Sequence, residues 1–395
     1  MGEPALRLAR LTLSQFRSYP ALTWRPRAAI SVLHGANGSG KTNLLEAVSL
    51  LVPGRGLRGA RISDLARHGA DAPGSWAVAG RFVTQTGEVD VGTGTPPEGP
   101  AERRVFRLDG AAPRSQAEIA ARISAVWLTP QMDRLFQEGA SGRRRFLDRL
   151  VYALEPAHAR EVAAHDTAMA GRNRLLAGGR VDPAWIAGLE EQMARHAVAA
   201  TAARAGLVAR LNAALAEGAA APFPAARLSL ACPIAERLAG EPALAVEDWL
   251  RATLAANRAR DAAAGGAAAG AHRADMALAD AATGLAAGLA STGQQKALLI
   301  GVVLGHAALL ARARGFAPLL LLDEPTVHLD AARRAALFAA LLRLPAQAIL
   351  TGADRETFAP LREHAEAWEV VPGTLLPDAD FSAPEASGAG SAIPI

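Results

Sequence analysis

The chain has 395 residues, half of them hydrophobic and 20% charged, which excludes a disordered or fibrous protein and leaves room for two or three domains. Its 42 basic and 38 acidic residues give a net charge of +4, which permits an acidic partner without requiring one. A lone cysteine, Cys232, excludes an intramolecular disulfide framework and fits a reducing cytosol.

Leu6 to Phe16 alternates apolar and polar residues, as a half-buried strand does. Ile30 to Leu33 is a short apolar run that enters a glycine-rich loop, and Thr42 to Leu51 then has helical character. Further strands are predicted at Trp76 to Phe82 and Val105 to Leu108, with a Gly/Pro/Thr loop over Gly92 to Pro100 and a hairpin turn at Asp109-Gly110. From Pro130 onward strand-forming runs give way to Ala/Leu/Arg/Glu stretches. Trp185, Leu189, Met193, His196 and Ala200 recur at helical spacing, and Leu207, Leu211 and Leu215 continue it. That pattern predicts a packed helical lobe and is too short for a long coiled coil. Ala262 to Gly270 reads as an Ala/Gly loop leading back to the first domain. Ala297 to Ala311 is the longest apolar stretch; Gly301, Gly305 and His306 break it, so a buried helix is expected, not a membrane span. With no basic-then-apolar leader visible, a cytoplasmic protein without membrane association is expected. Leu319 to Leu322 and Ala346 to Leu350 read as buried strands, and the Pro/Ser/Gly/Ala composition after Pro372 predicts a disordered tail. The expected organisation is therefore 1–129 and 268–372 as two parts of one α/β domain, 130–267 as an inserted helical lobe, and 373–395 as tail.

Gly35-Ala36-Asn37-Gly38-Ser39-Gly40-Lys41-Thr42 fits the phosphate-loop pattern G-x-x-x-x-G-K-[ST], in the strand-to-helix setting that gives the pattern its meaning. Backbone N–H groups of such a loop surround phosphate oxygens, and the helix N-terminus adds its positive end. Lys41 is positioned to reach the β- and γ-phosphates of ATP, and the Thr42 hydroxyl to hold Mg²⁺. Only Lys41 and Lys296 among the 42 basic residues are lysines, which marks both as positions that call for a compact ammonium. Asp323-Glu324 follows the Leu319 to Leu322 run, so both acids emerge at the carboxyl end of a buried parallel strand. Asp323 is expected to serve the metal and Glu324 to position and activate an attacking water.

Ser291-Thr-Gly293-Gln294-Gln-Lys296 begins a predicted helix about thirty residues before the acid pair. Alone it would be a helix cap; in that setting it resembles the signature motif of ABC-type ATPases, which contacts the γ-phosphate held by a second subunit. The resemblance makes Pro325 to Asp330 a D-loop, with Asp330 among the nucleotide-contacting residues, and places Thr351 at the switch position. Gln131 takes the Q-loop part near the metal, or is an ordinary surface glutamine.

About 250 residues separate Thr42 from Ser291, too many for a transport ATPase. Several strings sharpen the match. These are Leu11 to Tyr19 with Phe16-Arg17, Asn37 to Ala47, Gly54-Arg-Gly-Leu-Arg58, Ser141 to Asp148, Arg172-Asn173 with Leu175-Leu176, and Gly270-Ala-His-Arg-Ala-Asp275, the last with Ala271 and Ala274 as departures from the family pattern. Together they resemble the RecF family of bacterial recombination-repair proteins. The resemblance implies an ABC-type P-loop ATPase head with mixed parallel and antiparallel sheets plus a helical lobe. It also implies slow ATP hydrolysis, ATP-dependent homodimerisation and binding to single-stranded, double-stranded and gapped DNA. Cooperation with RecR and RecO in loading recombinase, and roles in replication-fork recovery and SOS induction, follow from the same likeness. Arg55, Arg58, Arg61 and Arg67, and the run Arg143, Arg144 and Arg145, are candidates for DNA phosphates or ordinary solvated surface. The rival classes are a transport-type nucleotide-binding subunit and a repair scaffold that nucleotide merely stabilises.

Overall fold

The structure is a computed structural model that describes residues 5–67, 74–96, 103–178 and 182–381. In chain order the strands are β1 (Leu6–Phe16), β2 (Tyr19–Trp24), β3 (Ile30–His34), β4 (Ala77–Thr84), β5 (Gly87–Gly94), β6 (Val105–Leu108), β7 (Ala125–Leu128), β8 (Ala226–Ala231), β9 (Asp275–Asp280), β10 (Leu319–Leu322), β11 (Ala348–Gly352), β12 (Ala365–Val371) and β13 (Thr374–Pro377). The helices are α1 (Lys41–Leu51), α2 (Gln116–Arg122), α3 (Ala140–Leu154), α4 (His158–Ala177), α5 (Pro183–Ala216), α6 (Pro233–Leu238), α7 (Ala243–Ala256), α8 (Arg258–Ala264), α9 (Thr292–Arg314) and α10 (Ala331–Arg343). The chain divides into two compact units, one of residues 1–129, 316–327 and 341–395, the other of residues 130–315 and 328–340.

The first unit holds two sheets. One is antiparallel, in the order β2-β1-β4-β5-β6; the other runs β13-β12-β3-β11-β10-β7, parallel except for the β13 edge. Helix α1 packs on β1, β4 and β5 from the first sheet and on β10 and β11 from the second. Its burial follows: nine of its eleven residues are buried, including Leu44, Leu45, Leu50 and Leu51. Gln347 adds a polar tie, its side chain accepting the Leu8 N–H at 2.7 Å and donating to the Leu8 carbonyl at 3.3 Å, wholly away from solvent.

The second unit is built around α5, 34 residues long, whose N-cap Asp182 accepts from the Ala184 and Trp185 N–H groups. Met193, Ala197, Val246, Leu250 and Leu254 form its core with the buried Cys232. Helix α9 is long and apolar enough to cross a membrane by composition, yet Leu298 to Leu304 is buried among the neighbours of α5, as expected from its interrupted sequence.

Three expectations are corrected. The return from the helical lobe comes at Phe316 and not near 268, because β9 pairs with β8 and α9 packs on α5 within the second unit. Strand β5 claims Gly92 to Gly94, which read as loop because two glycines flank Thr93. Residues 374–381 are folded, not a tail: β13 pairs with β12, and Phe381 is fully buried. Composition misled there because an edge strand tolerates proline and needs few apolar residues. Residues 382–395 lie outside the described residues.

Candidate nucleotide site

Strand β3 is buried along its whole length between β12 and β11 and delivers the chain into the Gly35 to Thr42 loop. Gly40 closes the loop at φ 116°, a left-handed value, where a Cβ would lie 2.7 Å from the Tyr19 hydroxyl. That hydroxyl donates to the Gly40 carbonyl at 3.1 Å, so β2 supports the loop from outside. The Lys41 ammonium curls back to the Gly35 and Ala36 carbonyls at 2.7 and 2.9 Å. Burial pushes Lys41 below its usual value, while Glu324 and Asp323 pull it upward. A desolvated ammonium held by carbonyls is poised for an anion. The buried Ser39 hydroxyl points to the same ligand class, since it has no hydrogen-bond partner among the described residues.

The acids arrive from the neighbouring strand. Four buried leucines make β10, and the Asp323 N–H prolongs its pairing by donating to the Leu128 carbonyl at 2.9 Å. Because β10 and β11 pair Leu322 with Leu350, the next residues, Asp323 and Thr351, stand side by side at the carboxyl ends of parallel strands. Thr351 donates to Asp323 Oδ1 at 2.7 Å and accepts the Glu324 N–H at 2.9 Å. From the loop side, Thr42 Oγ1 lies 3.0 Å from both Asp323 oxygens. A hydroxyl and a carboxylate converging at the end of a phosphate loop are the hard oxygen donors that Mg²⁺ takes. The residues therefore fit both nucleotide phosphates and the metal. Gln131, the third candidate for the metal, stands exposed on the short turn Pro130–Arg134 in the second unit.

Sequence reasoning missed what steadies this site. Arg17 makes a bidentate pair with the buried Glu46 of α1, both bonds 2.9 Å, and Arg58 adds a bond to Asn43 at 2.8 Å. Beside the start of the loop a cavity of about 600 Å³ is lined by His34, Gly35, Arg355 and Asp378. Asp378 sits 2.9 Å from both His34 Nε2 and Arg355 Nη1, although it belongs to the segment expected to be disordered. The strings holding Arg17, Asn43, Glu46 and Arg58 stood out in the sequence, though not their pairing, whereas His34, Arg355 and Asp378 carried no signal.

In the second unit, Ser291 caps α9 through a reciprocal capping box. Its hydroxyl accepts the Gln294 N–H at 3.4 Å, and Gln294 accepts the Ser291 N–H at 2.9 Å. Both residues remain exposed, so the positive end of a 23-residue helix faces solvent. Gly293 is required by proximity: a Cβ there would lie 2.8 Å from the His328 carbonyl. Asp330 caps the next helix by accepting the Arg333 N–H at 2.8 Å. The second lysine, Lys296, is buried against Asp133 at 3.3 Å.

The Arg143 to Arg145 run is not one basic surface. Arg143 forms a bidentate pair with Asp275, both bonds 2.8 Å, and Arg144 donates to the Ala274 carbonyl at 2.9 Å. Successive helix residues point about 100° apart, so only Arg145 is exposed. Arg55, Arg58 and Arg61 are exposed in the first unit, and Arg67 lies beside a bridge from Phe16 to Ala66.

Residues 7–369 match the family model described as RecF/RecN/SMC N terminal domain. The chain is 46% identical over 376 residues to the DNA replication and repair protein RecF of Mesorhizobium japonicum, covering 94% of this chain and 98% of that one. Among solved structures it is similar to the recombination mediator protein RecF bound to ATPrS, with a TM-score of 0.81, 20% identity, and coverage of 95% and 99% of the two chains. An Smc head domain from Pyrococcus furiosus, with a TM-score of 0.51 and 16% identity over 94% and 96%, shares the same α/β ATPase-head fold. The chain belongs to the RecF family.

Proposed function

We propose that this chain is an ATP-driven DNA-binding switch of recombinational repair and replication-fork recovery, active as an ATP-induced homodimer. The observation that carries the reading is the meeting of Thr42 and Thr351 on Asp323 beside a phosphate loop whose Lys41 is held by carbonyls and whose buried Ser39 hydroxyl lacks a described partner, in a chain 46% identical to a relative named a DNA replication and repair protein. Loop N–H groups, Ser39 and Lys41 hold the phosphates. Thr42 and Asp323 would hold Mg²⁺, which supplies neutralisation of charge on the β- and γ-oxygens. Thr351 keeps Asp323 in place and fixes the backbone from which the Glu324 carboxylate projects. Glu324 orients a water and accepts its proton as that oxygen bonds to the γ-phosphorus and ADP leaves. In this reading hydrolysis is slow and serves as a timer.

The exposed Ser291 and Gln294, with Gly293 between them and Asp330 in support, belong in this reading to the site of a second copy. An isologous interface then completes two sites at once. ATP closes the dimer on single-stranded, double-stranded or gapped DNA, and RecR and RecO act on that complex to load recombinase. The test is fluorescence anisotropy of a labelled gapped duplex titrated with Glu324→Gln protein, with and without ATP–Mg²⁺. Binding that needs ATP, and that Ser291→Arg abolishes together with the dimer, is the expected result. A folded Glu324→Gln protein that binds ATP–Mg²⁺ but gains no DNA affinity from it would remove the DNA switch from this reading.

A further inference from the structure

At the opposite end of α1 from the phosphate loop, the first unit has a second cavity of about 600 Å³. Its polar lining is Arg55, Arg61, Ser63 and Arg104, and Leu50 and Ile62 contribute apolar wall. None of its described lining residues is acidic. Arg55 and Arg61 are exposed and enter no ion pair with a described residue.

Arg104 is the unusual member. Its Nε donates to Thr93 Oγ1 at 2.8 Å, one Nη to the Gly54 carbonyl at 2.6 Å, and the other to the Leu50 carbonyl. The Phe106 ring lies 4.3 Å from its Cζ. Every one of these described partners is neutral, and two of its five N–H groups bond to no described residue. Burial pushes the guanidinium down to about 10, so the cation is held at a cost that a counter-charge would relieve. Leu50 is in the last turn of α1, and Gly54 reaches Arg104 through a backbone at φ 118°. Arg104 thus neutralises the negative end of the helix whose first residue is Lys41, about 16 Å away at 1.5 Å per residue.

We propose that this cavity takes a backbone phosphate of a nucleic-acid strand, and that Arg104 couples its occupancy to the ATP loop through α1. Two exposed guanidinium forks suit phosphate oxygens, and the apolar wall suits a sugar, in a space large enough for one nucleotide. The inference rests on the DNA-binding reading and gives that reading a specific contact and a route of communication.

The experiment repeats the anisotropy titration in the Glu324→Gln background at several salt concentrations, then adds Arg55→Ala/Arg61→Ala or Arg104→Met. The double variant should bind DNA about tenfold more weakly, with the slope of log affinity against log salt reduced by about one for each phosphate that it no longer neutralises. Arg104→Met should bind ATP alone as before yet lose the mutual tightening of ATP and DNA, which must be equal in both directions. If the background protein binds DNA with ATP and the double variant matches it in affinity and slope, the cavity is not a strand site and the broader reading stands. Failure of the background protein itself to bind would take both down. Polyglutamate displacing DNA from the background protein, but not from the double variant, would make the site one for acidic peptides and overturn the assignment. Both exposed arginines can be replaced without touching the core, so the outcome holds even if Arg104→Met fails to fold.

Discussion

Both units are crowded with charge, but they handle it in opposite ways. In the first, Lys41, Asp323 and Glu324 lie at the mouth of a parallel sheet, the lysine held by the Gly35 and Ala36 carbonyls and the acid pair by the Thr351 hydroxyl. In the second, Arg172 is wholly buried and spends its guanidinium on Glu190 at 3.0 Å, Asp261 at 2.8 Å and the Leu254 carbonyl at 2.7 Å. Arg204 does the same with Asp148 at 2.7 and 2.9 Å and the Ala271 carbonyl at 2.7 Å. One arrangement stores unfilled valence for chemistry; the other exhausts its valence in joining α4, α5 and α8. The contrast predicts that polar substitutions in the first unit cost turnover, and in the second cost stability.

The largest expected effect is at Arg172. Arg172→Met keeps the length of the side chain but strands Asp261, which retains only the Ala268 N–H at 3.0 Å from its other oxygen. Loss of one member of a buried ion cluster costs about 3–5 kcal/mol, read as a lower urea midpoint at constant m-value. Pairing it with Asp261→Asn should recover part of the loss. ATP affinity of the folded fraction should be unchanged; a drop there at full stability would erase the distinction between the units.

A pH experiment sharpens the contrast further. Burial pushes the His306 ring of α9 down to about 3, with nearby Arg149 acting the same way and a backbone bond at Leu150 opposing. Burial also lowers His272. The folded state therefore excludes protons that the unfolded chain takes up below about 6.5. Stability is full above that pH and falls as the pH drops toward the folded value, at about 1.4 kcal/mol per pH unit for each ring. Urea unfolding at pH 7.5 and 5.5 should show this acid limb, and His306→Leu should remove one proton's worth of its slope. An unchanged slope would mean that the ring is already protonated in the fold.

How much of this was legible follows from where each group gets its partners. Gly35 to Thr42 and the Ser291 cap act through their own backbone or the next helical turn, so a short string carries the instruction; Asp323-Glu324 was legible from the apolar run before it, although its partners Thr42 and Thr351 are distant in the chain. The sheet and helix alternation around them was legible for the same reason. Arg143 could not be assigned from its run, because its partner Asp275 is 132 residues away. Asp378 was hidden for a similar reason, since His34 and Arg355 stabilise it from distant parts of the chain. Arg104 gave no sign at all: carbonyls of Leu50 and Gly54 are invisible as binding groups in a sequence.

Thr351 gives the smallest effect and the most direct test of the contrast. Thr351→Val keeps the branched shape but removes a hydroxyl that both restrains Asp323 and receives the Glu324 N–H. Asp323 still has Thr42, so ATP affinity should stay within about threefold, and stability should fall by about 2 kcal/mol for the two lost hydrogen bonds. Turnover should fall about tenfold, because Glu324 sits at φ 48°, and freeing its N–H lets that strained backbone relax and carries the carboxylate away from the water. Thr351→Ser, which keeps the hydroxyl, should restore most of the rate. A valine variant that lost stability on the scale of Arg172→Met with its rate intact would show that the first unit's hydroxyl network holds the fold together as the second unit's ion clusters do.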